Sequence, residues 1–445
     1  MTNTLDQMIE SWAIADQGVY STEELLAWIA ERNRTVQVQI DKIPFNEQEV
    51  WQYFPEEGVI GNAGRSFFTI SGCENGGVQQ PIILQNEIGY LGIICKEING
   101  VLHFLMQAKI EPGNINKIQI SPTIQATKSN FTQAHGGKKP PYLDFFLHEE
   151  QYEIVVDQIQ SEQSSRFLGK RNRNTVIPMC ESHRWMTLGQ IKALMKRDNL
   201  VNMDTRTVIS CLPIFLADPK KAEAFFADSA LYRSIFLGDD QNSLPGIYRF
   251  INTARMFREE KTKLIPLGDL KNWEYQNGEL VCRDGYHFKV VCCNISMEGR
   301  EVKQWIQPLF EATGIATFGL LCCEEQGVLK FLVRAREEIG SFDGPELGPT
   351  VQREADEITK DTVEECFFRL YNKKENVLQD VVLSEEGGRF YHEQNRNIVI
   401  RAAKRELPEL PEGYFLVDYK TLNQQVQVNN CLNIQLRNLL SLLEI

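Results

Sequence analysis

The sequence predicts an α+β protein built from two tandem copies of one domain, with a helical connector between them. Residues 80–125 align without gaps on residues 307–352, and 17 of the 46 aligned positions are identical. Each copy begins with strand-forming segments and ends with segments of helical spacing. The stretch between the copies carries helical patterning interrupted by turn residues. We therefore divide the chain into a first copy, a connector and a second copy, at residues 1–212, 213–260 and 261–445.

The repeat continues outside the aligned block, which indicates that a whole domain was duplicated. Trp51 corresponds to Trp273, and each is followed two residues later by a tyrosine. The motif at residues 172–174, Asn-Arg-Asn, recurs at residues 395–397. We therefore expect the two copies to share one architecture.

Strands are expected in the earlier part of each copy. Residues 89–110 are rich in apolar and β-branched residues on both sides of Asn99-Gly100. This dipeptide favours the two-residue turn of a β-hairpin, and Gln326-Gly327 is the equivalent turn of the second copy. The sequence therefore predicts sheets that are at least partly antiparallel.

Helices are expected at the end of each copy and in the connector. Helical spacing is found in four segments, residues 187–197, 205–211, 421–427 and 434–443. In the connector, turn residues at 238–242 and 244–246 are expected to break the helices. The connector therefore reads as a chain of short helices.

The composition excludes several classes of function. A net charge of −13 and a pI near 5.2 argue against nucleic-acid binding, although a local basic pocket could hold one diphosphate. No apolar run is long enough to span a membrane, and the first residues lack the features of a signal peptide. The 11 cysteines form no Cys-x-x-Cys motif. We therefore expect a cytoplasmic protein with reduced cysteines in its core and no membrane or nucleic-acid partner.

Two long segments carry a family resemblance. Residues 81–135 and 184–213 resemble the signature segments of the NDP-hexose 2,3-dehydratases. The resemblance implies a Nudix-like fold in each half, a homodimer, no cofactor, and a nucleotide-diphosphate sugar as ligand, usually thymidine-diphospho-4-keto-6-deoxyglucose. It implies a lyase that removes the C2 hydroxyl to give a 3,4-diketo-2,6-dideoxyhexose in deoxysugar biosynthesis.

The Nudix motif itself is degenerate in this chain. Nudix hydrolases hold Mg²⁺ with glutamates in the pattern G-x5-E-x7-R-E-U-x-E-E-x-G, where U is aliphatic. The segment from Ala108 to Asn114 resembles the opening of that pattern, but Asn114 replaces the first glutamate, and Ala126 and Thr127 replace the glutamate pair. Because Mg²⁺ depends on carboxylates, we expect no metal site and no pyrophosphate hydrolysis. The match could also be an accident of a Pro-Gly turn.

The chemistry implied by the resemblance needs an acid–base pair and a partner for the C4 oxygen. Four polar residues at alternate positions would share one strand face: His103, Gln107, Lys109 and Glu111. We interpret Lys109 as the group that stabilises the C4 oxyanion, Glu111 and His103 as proton carriers, and Gln107 as a substrate contact. A solvated strand face is the alternative.

The second copy has a different set at these positions: Lys330, Arg334, Arg336 and Glu338. Because the imidazole is lost and two arginines appear, this face suits binding better than acid–base chemistry. We therefore expect the active site in the first copy and a degenerate or accessory pocket in the second.

Several residues are candidates for binding the nucleotide. Trp51 and Trp273 sit among polar residues, where an indole can stack on a base or pack in a core. Arg171 and Arg173 suit bidentate phosphate contacts or a structural corner common to both copies. Asn202, Asp204 and Arg206 are assigned mainly to helix capping and interface ion pairs. A polar segment resembles the part of the family that meets the sugar nucleotide, and its candidates are Lys128, Ser129, Asn130, Thr132 and His135.

Two other functions compete with the dehydratase. The loss of the Nudix glutamates and the divergence of the second copy would suit a catalytically silent Nudix-like protein that binds a nucleotide sugar. A nucleotide-sugar hydrolase would require a bound metal. The retention of Lys109 and Glu111 favours the dehydratase over both.

Overall fold

The computed structural model describes residues 2–132, 139–148, 151–178, 183–239, 244–258, 261–298, 302–355, 357–358 and 361–445. Within these ranges the helices are α1 Thr2–Trp12, α2 Thr22–Thr35, α3 Lys128–Phe131, α4 Leu143–Leu147, α5 Leu188–Met195, α6 Met203–Ser210, α7 Pro219–Ala222, α8 Ser229–Phe236, α9 Leu244–Met256, α10 Thr362–Lys373, α11 Tyr419–Gln425 and α12 Ile434–Ser441.

The strands of the first half are β1 Val38–Ile43, β2 Trp51–Phe54, β3 Val59–Asn62, β4 Thr69–Asn75, β5 Val78–Leu84, β6 Gly89–Ile98, β7 Val101–Ile110, β8 Ile118–Ser121, β9 Ile124–Ala126, β10 Val156–Ser161, β11 Arg171–Pro178 and β12 Arg184–Met186. Those of the second half are β13 Lys263–Ile265, β14 Trp273–Gln276, β15 Glu279–Cys282, β16 Phe288–Met297, β17 Gln304–Ala312, β18 Ala316–Glu325, β19 Val328–Arg336, β20 Glu346–Gly348, β21 Val351–Arg353, β22 Val377–Ser384, β23 Phe390–Tyr391, β24 Gln394–Ala402 and β25 Tyr414–Asp418.

Two larger sheets, one in each half, have matching strand orders. The first runs β10-β11-β6-β7-β12, with β8 beside β7 and β9 beside β6. The second runs β22-β24-β18-β19-β25, with β20 beside β19 and β21 beside β18. In each sheet one pair is parallel, β11 with β6 and β24 with β18, and the described neighbours are otherwise antiparallel. The mixed α/β architecture predicted from the sequence is confirmed.

The hairpin turns are also confirmed. Asn99 and Gly100 join β6 to β7 with φ of 52° and 81°, and Gln326 and Gly327 join β18 to β19 with the same two values. A tight hairpin turn needs positive φ at both central residues, which asparagine and glycine adopt most readily. A Cβ at Gly100 would meet nothing within 4 Å, so its backbone conformation, not crowding, calls for glycine there.

Two smaller sheets exchange an edge strand between the halves. Strand β1, from the first half of the sequence, pairs antiparallel with β16, and Ile40 lies opposite Ile295. Strand β13, from the second half, pairs antiparallel with β4, and Leu264 lies opposite Cys73. Each half therefore completes a sheet of the other, which the linear division of the sequence does not suggest.

The four helices predicted at the ends of the copies are present as α5, α6, α11 and α12. Asn202 and Asn433 cap α6 and α12, since each side chain accepts a hydrogen bond from the backbone three residues later. In the connector, α9 begins at Leu244 and has Pro245 in its first turn, where proline is well tolerated. Residues 244–246, which the sequence predicted to break a helix, therefore lie at the start of one.

Helices α6 and α12 pack together between the two halves, and each carries a buried arginine. Arg206 donates to the carbonyl oxygen of Ser384, at 3.0 Å, and Arg437 donates to that of Ser161, at 2.5 Å. Ser384 ends β22 and Ser161 ends β10, so each arginine binds a strand end of the opposite half. These hydrogen bonds tie the two halves into one core.

The described cysteines are free, and most are buried, as predicted. Burial raises the pKa of Cys95 and of Cys322 to about 12, so both thiols stay protonated at neutral pH. In the described part of the chain, no helix is long and apolar enough to cross a membrane.

Candidate functional site

Lys109 and Glu111 form an ion pair at the end of β7. The Lys109 Nζ lies 3.1 Å from the Glu111 Oε1, and the two side chains are 12% and 3% exposed. A pair with so little access to water is held in a low-dielectric setting, where charges act on a ligand more strongly than at the surface. The structure therefore brings together two of the three residues that the sequence assigned to chemistry.

A chain of amides orients the Glu111 carboxylate. Gln125 on β9 donates to the Glu111 Oε1 at 3.0 Å, and Asn202 donates to the Gln125 Oε1 at 3.2 Å. Hydrogen bonds to a carboxylate favour its charged form. Glu111 is thus a buried carboxylate held in a fixed orientation beside the Lys109 ammonium.

Asp204 on α6 lines the same cavity as Lys109 and Glu111. Its side chain is 1% exposed, and its Oδ2 has no hydrogen-bond partner among the described residues. Burial raises the pKa of Asp204 well above its usual range, and the charges of Glu162, Glu386 and Glu111 add to this effect. Asp204 is therefore a carboxylic acid that keeps its proton to a higher pH than an exposed aspartic acid does.

Glu162 is a second buried acid of this cavity. Its carboxylate accepts hydrogen bonds from the Asn172 side chain, at 2.6 Å, and from the Gln163 backbone, at 3.1 Å. Burial, together with the charge of Glu386, raises the pKa of Glu162 to about 7. Asp204 and Glu162 together give the cavity two acids whose pKa values are raised by burial.

Two further cations line the cavity, and one comes from the other half of the chain. Lys170 donates to the carbonyl oxygen of Glu87 at 2.6 Å, and burial lowers its pKa. Arg389 lies in the loop before β23 of the second half and donates to the Gln85 side chain at 3.2 Å. The cavity around Lys109 is therefore completed by a residue of the second half.

The cavity adjoins two larger ones. It has a volume of about 90 Å³ and shares Lys109 and Gln125 with a cavity of about 480 Å³. It shares Phe67 and Gln85 with another cavity, of about 620 Å³. Lys109 and its neighbours thus line a small cavity with a larger cavity bordering it at Lys109 and Gln125 and another bordering it at Phe67 and Gln85.

His103 lies elsewhere. Its ring is 3% exposed, the Nε2 accepts a hydrogen bond from the Val19 backbone at 3.1 Å, and the Nδ1 lies 2.8 Å from the carbonyl oxygen of Val101. Six residues along a strand separate it from Lys109 by roughly 20 Å. Burial lowers the pKa of His103, so the ring is neutral and its contacts are structural. The structure does not bring this proposed proton carrier to the cavity.

The polar segment after β9 is only partly at the cavity. Asn130 lines it, with its Oδ1 accepting from the backbone and hydroxyl of Thr127. Lys128 and Thr132 are exposed, and the Thr132 hydroxyl donates to the Lys128 carbonyl oxygen at 2.8 Å. Gln107 lines the adjoining cavity of about 480 Å³. His135 and the side chain of Ser129 lie outside the described residues.

The two arginines of β11 have partners within the protein. Arg173 forms a two-pronged ion pair with Asp157, at 2.6 and 2.7 Å, and also contacts the hydroxyl of Tyr90. Its counterpart Arg396 pairs with Asp380 in the same way. This repetition fits the structural corner better than a phosphate contact. The Arg171 guanidinium lies 4.0 Å from the centre of the Phe342 ring.

The tryptophans proposed to stack on a base are core residues, which corrects that prediction. Trp51 is 3% exposed and its indole nitrogen donates to the carbonyl oxygen of Ile306 at 2.7 Å. Trp273 is 8% exposed and donates to that of Gln79 at 3.2 Å. Each indole therefore binds the opposite half, and neither ring has a face free for a ligand.

Replacing Trp51 with alanine is expected to destabilise the protein by about 3 to 5 kcal/mol, because a large buried side chain and its hydrogen bond are lost. The measurement is the free energy of unfolding from a denaturant titration. The Michaelis constant of whatever protein remains folded should be unchanged. A stable variant with weakened ligand binding would restore the stacking role.

The second half has its own polar cluster, with a matching amide chain. Asn433 donates to the Gln352 Oε1 at 2.9 Å, and Gln352 donates to the Glu338 Oε1 at 2.7 Å. Arg336 occupies the position of Lys109 and donates to the Gln352 backbone. In the second half, Gln435 occupies the position that corresponds to Asp204, and Glu393 occupies the position that corresponds to Lys170. The associated cavity measures about 120 Å³. The second half thus lacks the counterparts of Asp204 and Lys170.

Sequence reasoning missed the residues that complete the first cavity. Asp204 was assigned to capping because it opens an apolar helix, but Asn202 is the cap. Glu162 and Arg389 belong to a motif that recurs in both halves, Ser-Glu-x-x-x-Arg-Phe at residues 161–167 and 384–390. Extending the repeat alignment through that motif would have singled out both residues.

Comparison with known proteins gives consistent results. The family model described as NDP-hexose 2,3-dehydratase matches residues 22–212 and 245–443. A protein of Saccharopolyspora spinosa named dTDP-4-dehydro-6-deoxy-alpha-D-glucopyranose 2,3-dehydratase is 37% identical, over 99% of this chain and 95% of its own. Proteins of the same name from Amycolatopsis orientalis and Streptomyces violaceoruber are 36% and 37% identical, over 98% and 93% of this chain and 93% and 95% of their own.

A solved structure described as an ADP compounds hydrolase shows 14% identity and a TM-score of 0.19, over 29% of this chain and 69% of that one. A similarity at this level carries no argument about the fold.

Proposed function

The chain belongs to the NDP-hexose 2,3-dehydratase family, and we propose that its reaction takes place in the cavity around Lys109, Glu111 and Asp204. Family membership makes the protein a hydro-lyase of deoxysugar biosynthesis and disfavours a catalytically silent binding protein. The named relatives act on a dTDP-linked 4-dehydro-6-deoxyglucose, and we propose the same substrate here.

The observation that carries the proposal is the grouping of three different proton and charge functions in one buried cavity. Lys109 supplies a positive charge, Glu111 a charged carboxylate held by Gln125, and Asp204 a carboxylic acid with a raised pKa. A carboxylate beside a cation and a carboxylic acid with a raised pKa give one site a group that can take a proton and a group that can give one. In the second half Gln435 occupies the position of Asp204, so that half has no acid at this place in its helix.

The first step is removal of the proton on C3. The C4 ketone makes this proton acidic, because the electron pair left on C3 delocalises onto the C4 oxygen. Glu111 takes the proton, and the Lys109 ammonium stabilises the developing C4 oxyanion. The product of this step is an enediolate that still carries the C2 hydroxyl.

The second step is loss of the C2 hydroxyl. Asp204 gives its proton to the departing oxygen, which leaves as water, while the electrons of the enediolate form the C2–C3 double bond and restore the C4 ketone. The resulting C3 enol gains a proton at C2 and becomes a ketone, so that the product is a 3,4-diketone. The overall balance is the loss of one water, with no oxidant or reductant.

The test of this function is incubation with thymidine-diphospho-4-keto-6-deoxyglucose together with a 3-ketoreductase that traps the labile diketone. Mass spectrometry of the sugar nucleotide should show the loss of one water followed by reduction. If the sugar nucleotide is recovered unchanged, the proposed substrate is wrong. Release of thymidine monophosphate would instead indicate hydrolysis.

The activity is expected to survive exhaustive chelation, with a change of no more than about twofold, because the reaction needs no divalent ion. At the position of the first Nudix glutamate, Asn114 donates to the Lys117 backbone. Pro122 and Thr123 occupy the positions of the arginine and glutamate in the R-E part of the motif, and the Thr123 hydroxyl bridges backbone groups of Ile94 and Leu105. Among the described residues no cluster of His, Cys, Asp or Glu is arranged to hold a metal. The measurement is turnover after EDTA treatment. An activity that disappears and returns with Mg²⁺ would contradict this expectation.

We also propose that the two halves arose by duplication of a Nudix-like domain. The matching strand orders, the matching amide chains and the aligned identities support the duplication. The Nudix-like assignment rests on the resemblance of residues 108–114 to the opening of the Nudix motif. The homodimer and the cytoplasmic location implied by the family resemblance, like the proposed division at residues 212 and 261, remain predictions.

A further inference from the structure

The cavity of about 620 Å³ lies next to the proposed catalytic cavity, on the far side of Phe67 and Gln85. Its walls include Arg65, Thr69 and Ser71 around the start of β4. No step of the dehydration uses this space. A sugar nucleotide is, however, much longer than its hexose, so the rest of the molecule must extend out of the catalytic cavity in some direction.

Two cations of the catalytic cavity are hydrogen-bonded to residues that line the larger one. Lys170 donates to the backbone of Glu87, and Arg389 donates to the side chain of Gln85, while both Gln85 and Glu87 line the larger cavity. Lysine and arginine close together suit a diphosphate, because each can give charge-assisted hydrogen bonds to phosphate oxygens. A diphosphate bound here would also stabilise the charged form of Lys170, whose pKa burial lowers.

Phe67 forms part of the wall of both cavities and is held in an unusual backbone conformation. Its φ is +87°, a region that bulky residues avoid and that costs roughly 1 to 3 kcal/mol. The Arg389 guanidinium lies 4.9 Å from the centre of the Phe67 ring and 4.4 Å from that of Phe68. The ring is half-buried and borders the larger cavity, so it presents an aromatic surface to a ligand there.

We propose that the nucleoside diphosphate of the substrate extends into this cavity, with its diphosphate between Lys170 and Arg389 and its base stacked on Phe67. The proposal rests on the proposed function and adds the subsite for the nucleotide. Because Arg389 belongs to the second half, the second half takes part in binding at the catalytic cavity of the first. Phe67 thus takes the stacking role that the sequence gave to Trp51.

The competing direction is the cavity of about 480 Å³ on the other side of Lys109. Arg32 and Lys109 line it together with Glu298, and Lys109 is already paired with Glu111. Its described lining contains prolines and aliphatic residues but no aromatic ring. The aromatic ring, together with the hydrogen bonds of Lys170 and Arg389 to residues that line the larger cavity, therefore favours the path past Phe67.

The experiment measures the dissociation constants of thymidine diphosphate and thymidine by calorimetry, for the wild type and single variants. Phe67→Ala is expected to weaken both ligands by about five- to hundred-fold, because stacking on a base contributes roughly 1 to 3 kcal/mol. Lys170→Met is expected to weaken thymidine diphosphate but not thymidine. Phe67→Leu, which keeps an apolar side chain of similar size, should weaken binding in the same direction.

Two control variants locate the effect. His287→Ala changes the residue of the second half that corresponds to Phe67. The correspondence follows from the next residue, because Arg166 lies over the Phe288 ring as Arg389 lies over the Phe68 ring, both at 4.4 Å. Arg32→Ala changes the competing cavity. Both variants should leave the dissociation constants within about twofold of the wild type. Normal binding by folded Phe67→Leu, or weakened binding by Arg32→Ala, would overturn the proposal.

Turnover separates this inference from the proposed function. In the Phe67 variants the Michaelis constant should rise while the turnover number changes little, because stacking is equal in the ground and transition states. A wild type that binds thymidine diphosphate through Phe67 but does not dehydrate the sugar would reject the proposed substrate and leave the subsite standing. A wild type that dehydrates the sugar with no effect of Phe67 would reject the subsite alone.

Discussion

Glu111→Gln and Lys109→Ala are each expected to lower turnover by roughly 10²- to 10⁴-fold. The first change removes the carboxylate that takes the C3 proton but keeps a side chain that can bind Gln125. The second removes the charge that stabilises the C4 oxyanion. The measurement is the turnover number with saturating thymidine-diphospho-4-keto-6-deoxyglucose, on protein whose unfolding transition matches that of the wild type.

The second half provides the matched controls. Glu338→Gln changes the residue that corresponds to Glu111 and accepts from Gln352 in the same way. Arg336→Ala changes the counterpart of Lys109. Both variants should retain turnover within about tenfold of the wild type, because Gln435 stands in that half where Asp204 supplies an acid in the first. Equal losses in the two halves would reject the assignment of the reaction to the first cavity.

Asp204→Asn is expected to lower turnover by a similar factor, about 10²- to 10⁴-fold, because an amide cannot give a proton to the departing hydroxyl. The pKa of Asp204 is raised by burial and by the neighbouring acids, so the acid is protonated below that pKa and loses its proton above it. Wild-type turnover should therefore fall on the alkaline side as pH rises through the pKa of Asp204.

The pH profile of the variants identifies which acid is responsible. Glu162, whose pKa is about 7, also titrates in this range. Turnover in Asp204→Asn should be low and should lack the alkaline limb, while Glu162→Gln should keep it. An alkaline limb that persists in Asp204→Asn and disappears in Glu162→Gln would transfer the acid role to Glu162.

The elements with local signals were predictable from the sequence. The turn at Asn99-Gly100 requires positive φ at two successive residues, which few dipeptides adopt easily, so its position could be identified. The helices that close each half carry their own apolar spacing and caps, and Asn202 and Asn433 mark their first residues. These features depend on neighbours in the sequence, which is why the prediction was right.

The elements that depend on the opposite half were not predictable. The exchange of β1 and β13 joins segments more than 180 residues apart. No local pattern distinguishes an edge strand that pairs within its own half from one that pairs with the opposite half. The burial of Trp51 has the same origin, since the partner of its indole nitrogen is Ile306. Its neighbours Gln52 and Tyr53 are exposed, which made the position look accessible in the sequence.

The candidate site was predictable in part for the same reason. Lys109 and Glu111 were found because they lie two residues apart at the end of one strand, within a segment that aligns between the copies. Asp204 and Arg389 reach the cavity from a distant helix and from the other half. Alternation along the strand also wrongly grouped His103 with Lys109, because a shared strand face extends far beyond one pocket.

The most direct test of the proposed mechanism follows the hydrogen on C3. Thymidine-diphospho-4-keto-6-deoxyglucose with deuterium at C3 is incubated in ordinary water with the wild type, Glu111→Gln or Asp204→Asn, and the sugar is followed by NMR and mass spectrometry. The wild type should lose both deuterium and water. Asp204→Asn should exchange the deuterium while water loss is slowed, and Glu111→Gln should retain both. Rapid deuterium exchange by Glu111→Gln, or water loss at the wild-type rate by Asp204→Asn, would contradict the account.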